Sequence, residues 1–237
     1  MSSVYARSVP ASTASPAQRR RRTSLLAKTL DERRRGAILA RVSESPKGAP
    51  AELADVVETI LAALADAPRE TVDRLREDRG EPGPIVAALV RAPDTRSRRL
   101  LCDVLGFRKE RVALDALVAC LDDEAPGVRA AAADALAKLA DERAGPALLA
   151  RARMPESHLG TLAMIVAALG AVGHAPAVPL LVTFLRCDEP SLRGSAAWAL
   201  GALRAIAALP DLRAALARER WPYPAERIRA AIAALGA

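Results

Sequence analysis

Apolar residues recur every three or four positions over most of the chain after residue 50, which is the spacing of amphipathic helices. The segment "AELADVVETILAALADAP" at 51–68 predicts one such helix. The segment "RETVDRLREDRGEPGP" that follows predicts a second, more exposed helix that ends near Gly80. The apolar residues are mainly alanine and leucine, which favours close-packed helices over sheets.

The pattern becomes periodic from about residue 82. Four segments place an arginine, or in one copy a leucine, eight residues before a glycine or alanine. The pairs are Arg98 and Gly106, Arg129 and Ala137, Leu162 and Gly170, and Arg193 and Gly201. Successive anchors are 31, 33 and 31 residues apart, a second short helical run lies between them, and "ERIRAAIAALGA" closes the chain as an imperfect fifth copy. Helix pairs at a fixed period predict an α-solenoid, in which each unit buries its apolar face against the next.

Two copies carry a specific resemblance. "LDDEAPGVRAAAADALAKLAD" at 121–141 and "LRCDEPSLRGSAAWALGAL" at 185–203 resemble the short HEAT repeat of the phycobilisome-lyase type. The resemblance implies an all-α, right-handed α-solenoid of HEAT-like helix pairs at 48–237, with the clearest repeats at 82–237. The repeat arginines Arg98, Arg129 and Arg193 are predicted to be structural, each reaching an acid or carbonyl of a neighbouring turn.

Charge divides the chain into two parts. The formal charge of the 237 residues is +7, but residues 1–47 alone carry +8, so the remainder is close to neutral. We therefore predict a disordered basic N-terminal arm at 1–47, with a possible short helix in "LLAKTLDERRRGAILARV". This arm is compatible with binding to nucleic acid or an anionic membrane, with a transit peptide, with phosphorylation of Ser24 behind "RRRR", or with a simple solvated tail.

Candidate catalytic chemistry is sparse. The three cysteines (Cys102, Cys120 and Cys187) form no Cys-x-x-Cys pair, and we expect them to be small buried side chains. The two histidines have no neighbouring glutamate of the kind that an iron site needs. No cofactor or metal site is predicted. Residues 159–185 carry no charge, but the turn at 173–176 predicts two buried helices instead of a membrane span.

Candidate binding residues are predicted by comparing equivalent positions in the other repeats. Trp198 occupies a position that is Asp103, Asp134 and Ala167 in the other copies, so it should be partly exposed. Trp221 and Tyr223 form a recognition loop or a terminal cap. The second helices, which usually line the concave face of HEAT proteins, offer a row of arginines that suits an acidic partner: Arg111, Arg151, Arg153, Arg186, Arg213, Arg218 and Arg220.

These features predict a non-enzymatic, cytoplasmic scaffold that binds a partner protein or peptide on the concave face of the solenoid. Two alternatives stay open. One is a bilin lyase-like subunit or chromophore chaperone, which the repeat resemblance implies. The other is nucleic-acid or anionic-surface binding through the basic arm.

Overall fold

The computed structural model describes residues 32–33, 36–41 and 50–236. Between residues 50 and 236 the chain forms helices and turns, with no strand. The α-helices are α1 (Pro50–Asp66), α2 (Pro68–Glu77), α3 (Gly83–Arg91), α4 (Thr95–Arg108), α5 (Leu114–Cys120), α6 (Pro126–Leu139), α7 (Gly145–Ala152), α8 (Leu159–Ala171), α9 (Val178–Phe184), α10 (Pro190–Ala202), α11 (Leu209–Arg218) and α12 (Pro222–Gly236). The predicted all-α solenoid is confirmed. The predictions for the arm upstream of residue 32, including phosphorylation of Ser24, concern residues outside the described part of the chain.

The repeats build two layers of helices. The first helix of each unit belongs to one layer (α4, α6, α8, α10 and α12), and consecutive members of this layer pack against each other. The second helices α5, α7, α9 and α11 are shorter. Each of them packs closely against the first helix of the following unit. The apolar core therefore runs continuously between the layers, as stacking of repeats requires.

The glycines that recur at a fixed spacing in the sequence lie where consecutive first helices touch. A Cβ atom added to Gly106 would lie 2.6 Å from the Cα atom of Ala135, and one added to Gly170 would lie 2.6 Å from that of Ala199. Gly201 approaches Ala231 in the same way, at 3.3 Å. A Cβ atom does not fit at 2.6 Å, so Gly106 and Gly170 allow the helix backbones to touch, and the contact at Gly201 is tight but less restrictive.

In four units, a residue in the left-handed backbone conformation follows the end of the first helix. Lys109, Ala140, Gly173 and Arg204 all have φ between 50° and 74°. Such a residue lets the chain leave the helix while backbone N–H groups still satisfy its last carbonyls. Gly173 is also the turn that separates α8 from α9 in the uncharged stretch at 159–185. Across the described residues, no helix combines the length and hydrophobicity that crossing a membrane requires.

Part of the predicted arm packs on the solenoid. Residues 36–41 are helical, and Ile38 is 7% exposed and joins the hydrophobic core. Arg41 pairs with Asp115 of α5. Residues 36–41 therefore contact the solenoid through one core side chain and one ion pair.

We predict that Gly106→Ala destabilises the protein by about 1–3 kcal/mol, because the new methyl group overlaps the backbone of α6. The expected loss exceeds the gain of up to about 1 kcal/mol that alanine brings in a helix. Urea denaturation measures the difference. Gly127→Ala is the matched control, since its nearest neighbour would be the Arg99 side chain at 3.8 Å. Equal stability of Gly106→Ala and wild type would show that the first helices can separate at no cost.

Candidate binding surface

The repeat arginines form clamps between consecutive interhelix turns. Arg129 donates to the carbonyls of Asp123 and Glu124 before α6, and binds both carboxylate oxygens of Glu156 after α7 at 2.9 and 2.8 Å. Arg193 repeats the arrangement with Glu219 at 2.6 and 2.8 Å and with the carbonyls of Cys187 and Asp188. These contacts are of the kind the repeat pattern predicts.

The first and third units differ from this clamp arrangement. Arg98 contacts the carbonyl of Pro93 and the carboxylate of Asp123, so it also links two turns. In the third unit Leu162 stands at the arginine position and is buried. Within the described part of the chain, no side-chain hydrogen bond joins the turn before α8 to the turn after α9 as the arginine clamps do.

The clamp carboxylates are buried and doubly used. The side chains of Glu156 and Glu219 are each 1% exposed, and both also accept backbone N–H groups at the start of the next helix. The hydrogen bonds from Arg193 lower the pKa of Glu219 to about 2. This carboxylate therefore stays ionised, and its charge stabilises the folded state.

Arg151, one of the predicted binding arginines, is buried. Its Nε donates to the carbonyl of Leu121 at 3.0 Å, and its Nη2 lies 2.5 Å from Glu156. Arg151 therefore holds the turn after α7 together with Arg129. Its side chain is therefore not available at the candidate surface.

The remaining arginines of the predicted row lie on the second helices or in the turns beside them. Arg186 is exposed but pairs with Asp211 of α11 at 2.7 Å. Arg218 donates to the carbonyl of Ala214 within its own helix. The other members of the predicted row are exposed, namely Arg111, Arg153, Arg213 and Arg220.

Trp198 lies on the outer side of the first-helix layer, away from the second-layer arginines. It is 37% exposed, in agreement with its predicted partial exposure, and Asp103, Asp134 and Ala167 at the equivalent positions are half-buried. Its ring crosses to the neighbouring helix, with Cζ3 3.1 Å from the position of a Cβ at Gly170. The glycine that lets α8 and α10 touch thus also makes room for the tryptophan ring.

Tyr223 repeats this arrangement one helix further along. Its Cε1 lies 2.9 Å from the position of a Cβ at Gly194 on α10, while the side chain remains 52% exposed. The guanidinium of Arg227 lies 5.5 Å from the centre of its ring. Trp221, at the start of α12, is 60% exposed. Tyr223 therefore covers a gap between helices, as a cap would, and still presents a face to solvent.

Sequence reasoning missed three exposed apolar residues on the same layer, and the first of them, Phe107 of α4, is 59% exposed. Met164 and Leu159 of α8 are 37% and 44% exposed, although the uncharged stretch that contains them predicts burial. The exposure of Met164 could be inferred from the alignment of the repeats, because its counterpart in the later copy is the polar residue Ser195. Met164, Trp198 and Tyr223 thus place large side chains on α8, α10 and α12, and we name this region the apolar surface.

A charged group adjoins the apolar surface on α4 and α6. Burial raises the pKa of Asp103, which lies within electrostatic reach of Arg76, Arg99, Lys138 and Asp134. Lys138 pairs with Asp134 at 2.5 Å. The charged residues of the first helices are therefore concentrated on α4, α6 and α12, whereas α8 has none and α10 has only Arg193.

The cysteines offer no activated thiolate. A hydrogen bond to Cys120 and complete burial hold the pKa of Cys102 well above its usual value, and burial also raises the pKa of Cys187. Both thiols stay protonated near neutral pH. Among the described residues, no cluster of three or more His, Cys, Asp or Glu side chains could hold a metal ion.

The repeats match a known family. Residues 83–161 and 156–236 match the HEAT repeats family, and together these segments cover more than half of the chain. This chain belongs to the HEAT-repeat family. No curated protein matches it significantly. Among solved structures, the complex of CpcE and CpcF of phycocyanin lyase from Nostoc sp. PCC7120 is 21% identical, covering 81% of this chain and 96% of that chain with a TM-score of 0.45.

We predict that Arg193→Ala destabilises this HEAT-repeat protein by about 3 kcal/mol, because it leaves the buried carboxylate of Glu219 without its partner. Urea denaturation at neutral pH measures the loss. Arg213→Ala removes an exposed arginine and should change the stability by no more than about 0.5 kcal/mol. Similar losses from both substitutions would contradict a specific role for the clamp.

We also predict a pH dependence that originates at Glu219. Its pKa falls from 4.5 to about 2 on folding, so its stabilising contribution is complete above about pH 4.5. This contribution is lost as the pH falls toward 2. In Glu219→Gln the free energy of unfolding should therefore be lower at neutral pH and decline less between pH 4.5 and 2. Parallel pH profiles of variant and wild type would assign the acid sensitivity to other carboxylates.

Proposed function

We propose that this protein is a non-enzymatic scaffold that binds a partner protein or peptide through the apolar surface of its first helices. The supporting observation is the partly exposed ring of Trp198, fixed over Gly170 on a helix packed on both sides. A rigid aromatic side chain loses little conformational entropy when a partner covers it, and such residues dominate binding energy at interfaces.

The proposed site lies on the first helices, whereas the sequence suggests a site formed by the second-layer arginines. Arg151 belongs to the structural contacts and Arg186 is already paired with Asp211. By contrast, Met164, Trp198 and Tyr223 lie on consecutive first helices. A partner that follows the stack can therefore contact all three side chains without breaking an existing ion pair.

Two other functions stay predictions. The bilin-lyase alternative derives from the repeat resemblance, and a change in visible absorbance on adding a free bilin would support it. Binding through the basic arm is best tested by replacing Arg19 to Arg22 with alanine in the full chain. Deletion of the whole arm would also remove Ile38, which is a core residue.

We predict that Trp198→Ala weakens binding to a protein partner by about thirtyfold, since loss of an interface tryptophan costs about 2 kcal/mol. The partner is identified by capture on the full-length chain, and its affinity for wild type and variant is measured by calorimetry. Helicity should be unchanged, and the melting temperature should fall by only a few degrees.

Ile206→Ala is the matched control. Ile206 is 64% exposed in the turn before α11, on the second-helix side, and its loss should leave the affinity unchanged. A large loss of stability in Trp198→Ala would instead make Trp198 a core residue. Unchanged affinity would remove the apolar surface from the proposal.

A further inference from the structure

The first helices from α4 to α10 each pack against the next first helix through one stripe of their surface. On α10, Gly201 of this stripe lies against Ala231 of α12. On α8, Gly170 lies in the same way against Ala199 of α10, so Ala199 and Ala231 occupy equivalent positions. The stripe of α10 is Pro190, Gly194, Ala197 and Gly201, and its equivalent on α12 is Pro222, Glu226, Arg229 and Ala233.

These four residues of α12, which we name the outer stripe, are all exposed. By contrast, Gly194 and Ala197 at the equivalent central positions of α10 are buried. The two central residues of the outer stripe, Glu226 and Arg229, carry opposite charges. Neither side chain has a salt-bridge partner within 4 Å among the described residues. The outer stripe therefore presents one unpaired acid and one unpaired base between two small residues.

The order of residues along the outer stripe is self-complementary. When two α12 helices pack antiparallel about a two-fold axis between Glu226 and Arg229, Glu226 of each copy lies opposite Arg229 of the other. The two ends of the stripe, Pro222 and Ala233, then also lie opposite each other. A parallel pair would instead place Glu226 against Glu226 and Arg229 against Arg229, and such like-charge contacts are unfavourable. The charges thus select one orientation and one register for a second copy.

Trp221 fits the same arrangement. Its side chain is 60% exposed, and it directly precedes the first residue of α12. In the antiparallel pair, Trp221 lies opposite Ala234 of the second copy, a residue that is also exposed. Aromatic side chains are enriched at protein interfaces, where they supply much of the binding energy. The two Trp221 rings would therefore cover the ends of the helix pair.

We propose that the outer stripe of α12 binds the outer stripe of a second copy of this chain, in an antiparallel, two-fold symmetric helix pair. One pair of 15-residue helices is smaller than stable interfaces, which bury about 1,200–2,000 Å². We therefore expect a monomer–dimer equilibrium with a Kd of about 10–100 μM. Met164 and Trp198 lie on α8 and α10, outside the outer stripe, so the dimer goes beyond the proposed function and would carry two apolar surfaces.

Charge reversal on the full-length chain tests the proposal. Sedimentation equilibrium from about 1 μM to about 1 mM spans the expected Kd. Glu226→Arg and Arg229→Glu each bring like charges together and should weaken dimerisation at least tenfold. The double variant with both substitutions restores both ion pairs with their signs exchanged, and it should dimerise as wild type does.

A mixture of the two single variants provides a second test. The Glu226→Arg chain carries two arginines in the outer stripe and the Arg229→Glu chain carries two glutamates. The two chains should therefore form a mixed dimer, although neither associates well alone. Arg74→Glu makes the same charge change at an exposed position of α2 and should leave the Kd unchanged. Circular dichroism verifies that every variant keeps the helicity of wild type.

Three outcomes would overturn the proposal. Wild type that stays monomeric up to about 1 mM would make Glu226 and Arg229 a solvated face. A dimer that neither charge reversal weakens would lie on another surface. A dimer that is lost in Trp198→Ala would belong to the apolar surface. An unchanged dimer in Trp198→Ala would support the proposal and separate it from partner binding at the apolar surface.

Discussion

The close approach of consecutive first helices sets the geometry of the rest of the stack. Backbones touch where Gly106, Gly170 and Gly201 face alanines of the next helix. The ring of Trp198 lies against Gly170, and the ring of Tyr223 lies against Gly194 in the same way. One constraint therefore explains both the alanine-rich core and the position of the exposed aromatic residues.

The solenoid could be predicted from sequence because its rules are local and repeated. The glycine anchors, the prolines that begin α6 and α10, and the repeat arginines all recur at a fixed spacing. The sequence predicts a structural contact for Arg129 because every copy that carries this arginine places acids near the following turn. A repeated sequence feature reports an interaction that every unit needs.

The candidate surface could not be predicted in the same way, because exposure depends on how neighbouring units meet. Arg151 resembles any surface arginine of a second helix, but Glu156 in the longer turn after α7 draws it inward. Met164 lies in an uncharged segment that indicates burial, although one side of α8 faces solvent. Each of these residues differs from its counterparts in the other units, so the repeat pattern alone does not predict whether its side chain is exposed.

The leucine at the clamp position of the third unit makes the stack mechanically uneven. Arginine clamps join the turns on either side of the first, second and fourth repeats, whereas among the described residues no arginine joins the turn before α8 to the turn after α9, and Leu162 is buried at that position. Under tension or thermal fluctuation, this region should open before the clamped repeats do. A molecule bound across α8 and α10 would span the same region, so its binding would stabilise that region against local opening. Ligand binding and the stiffness of the solenoid are therefore coupled through the absence of a single side chain.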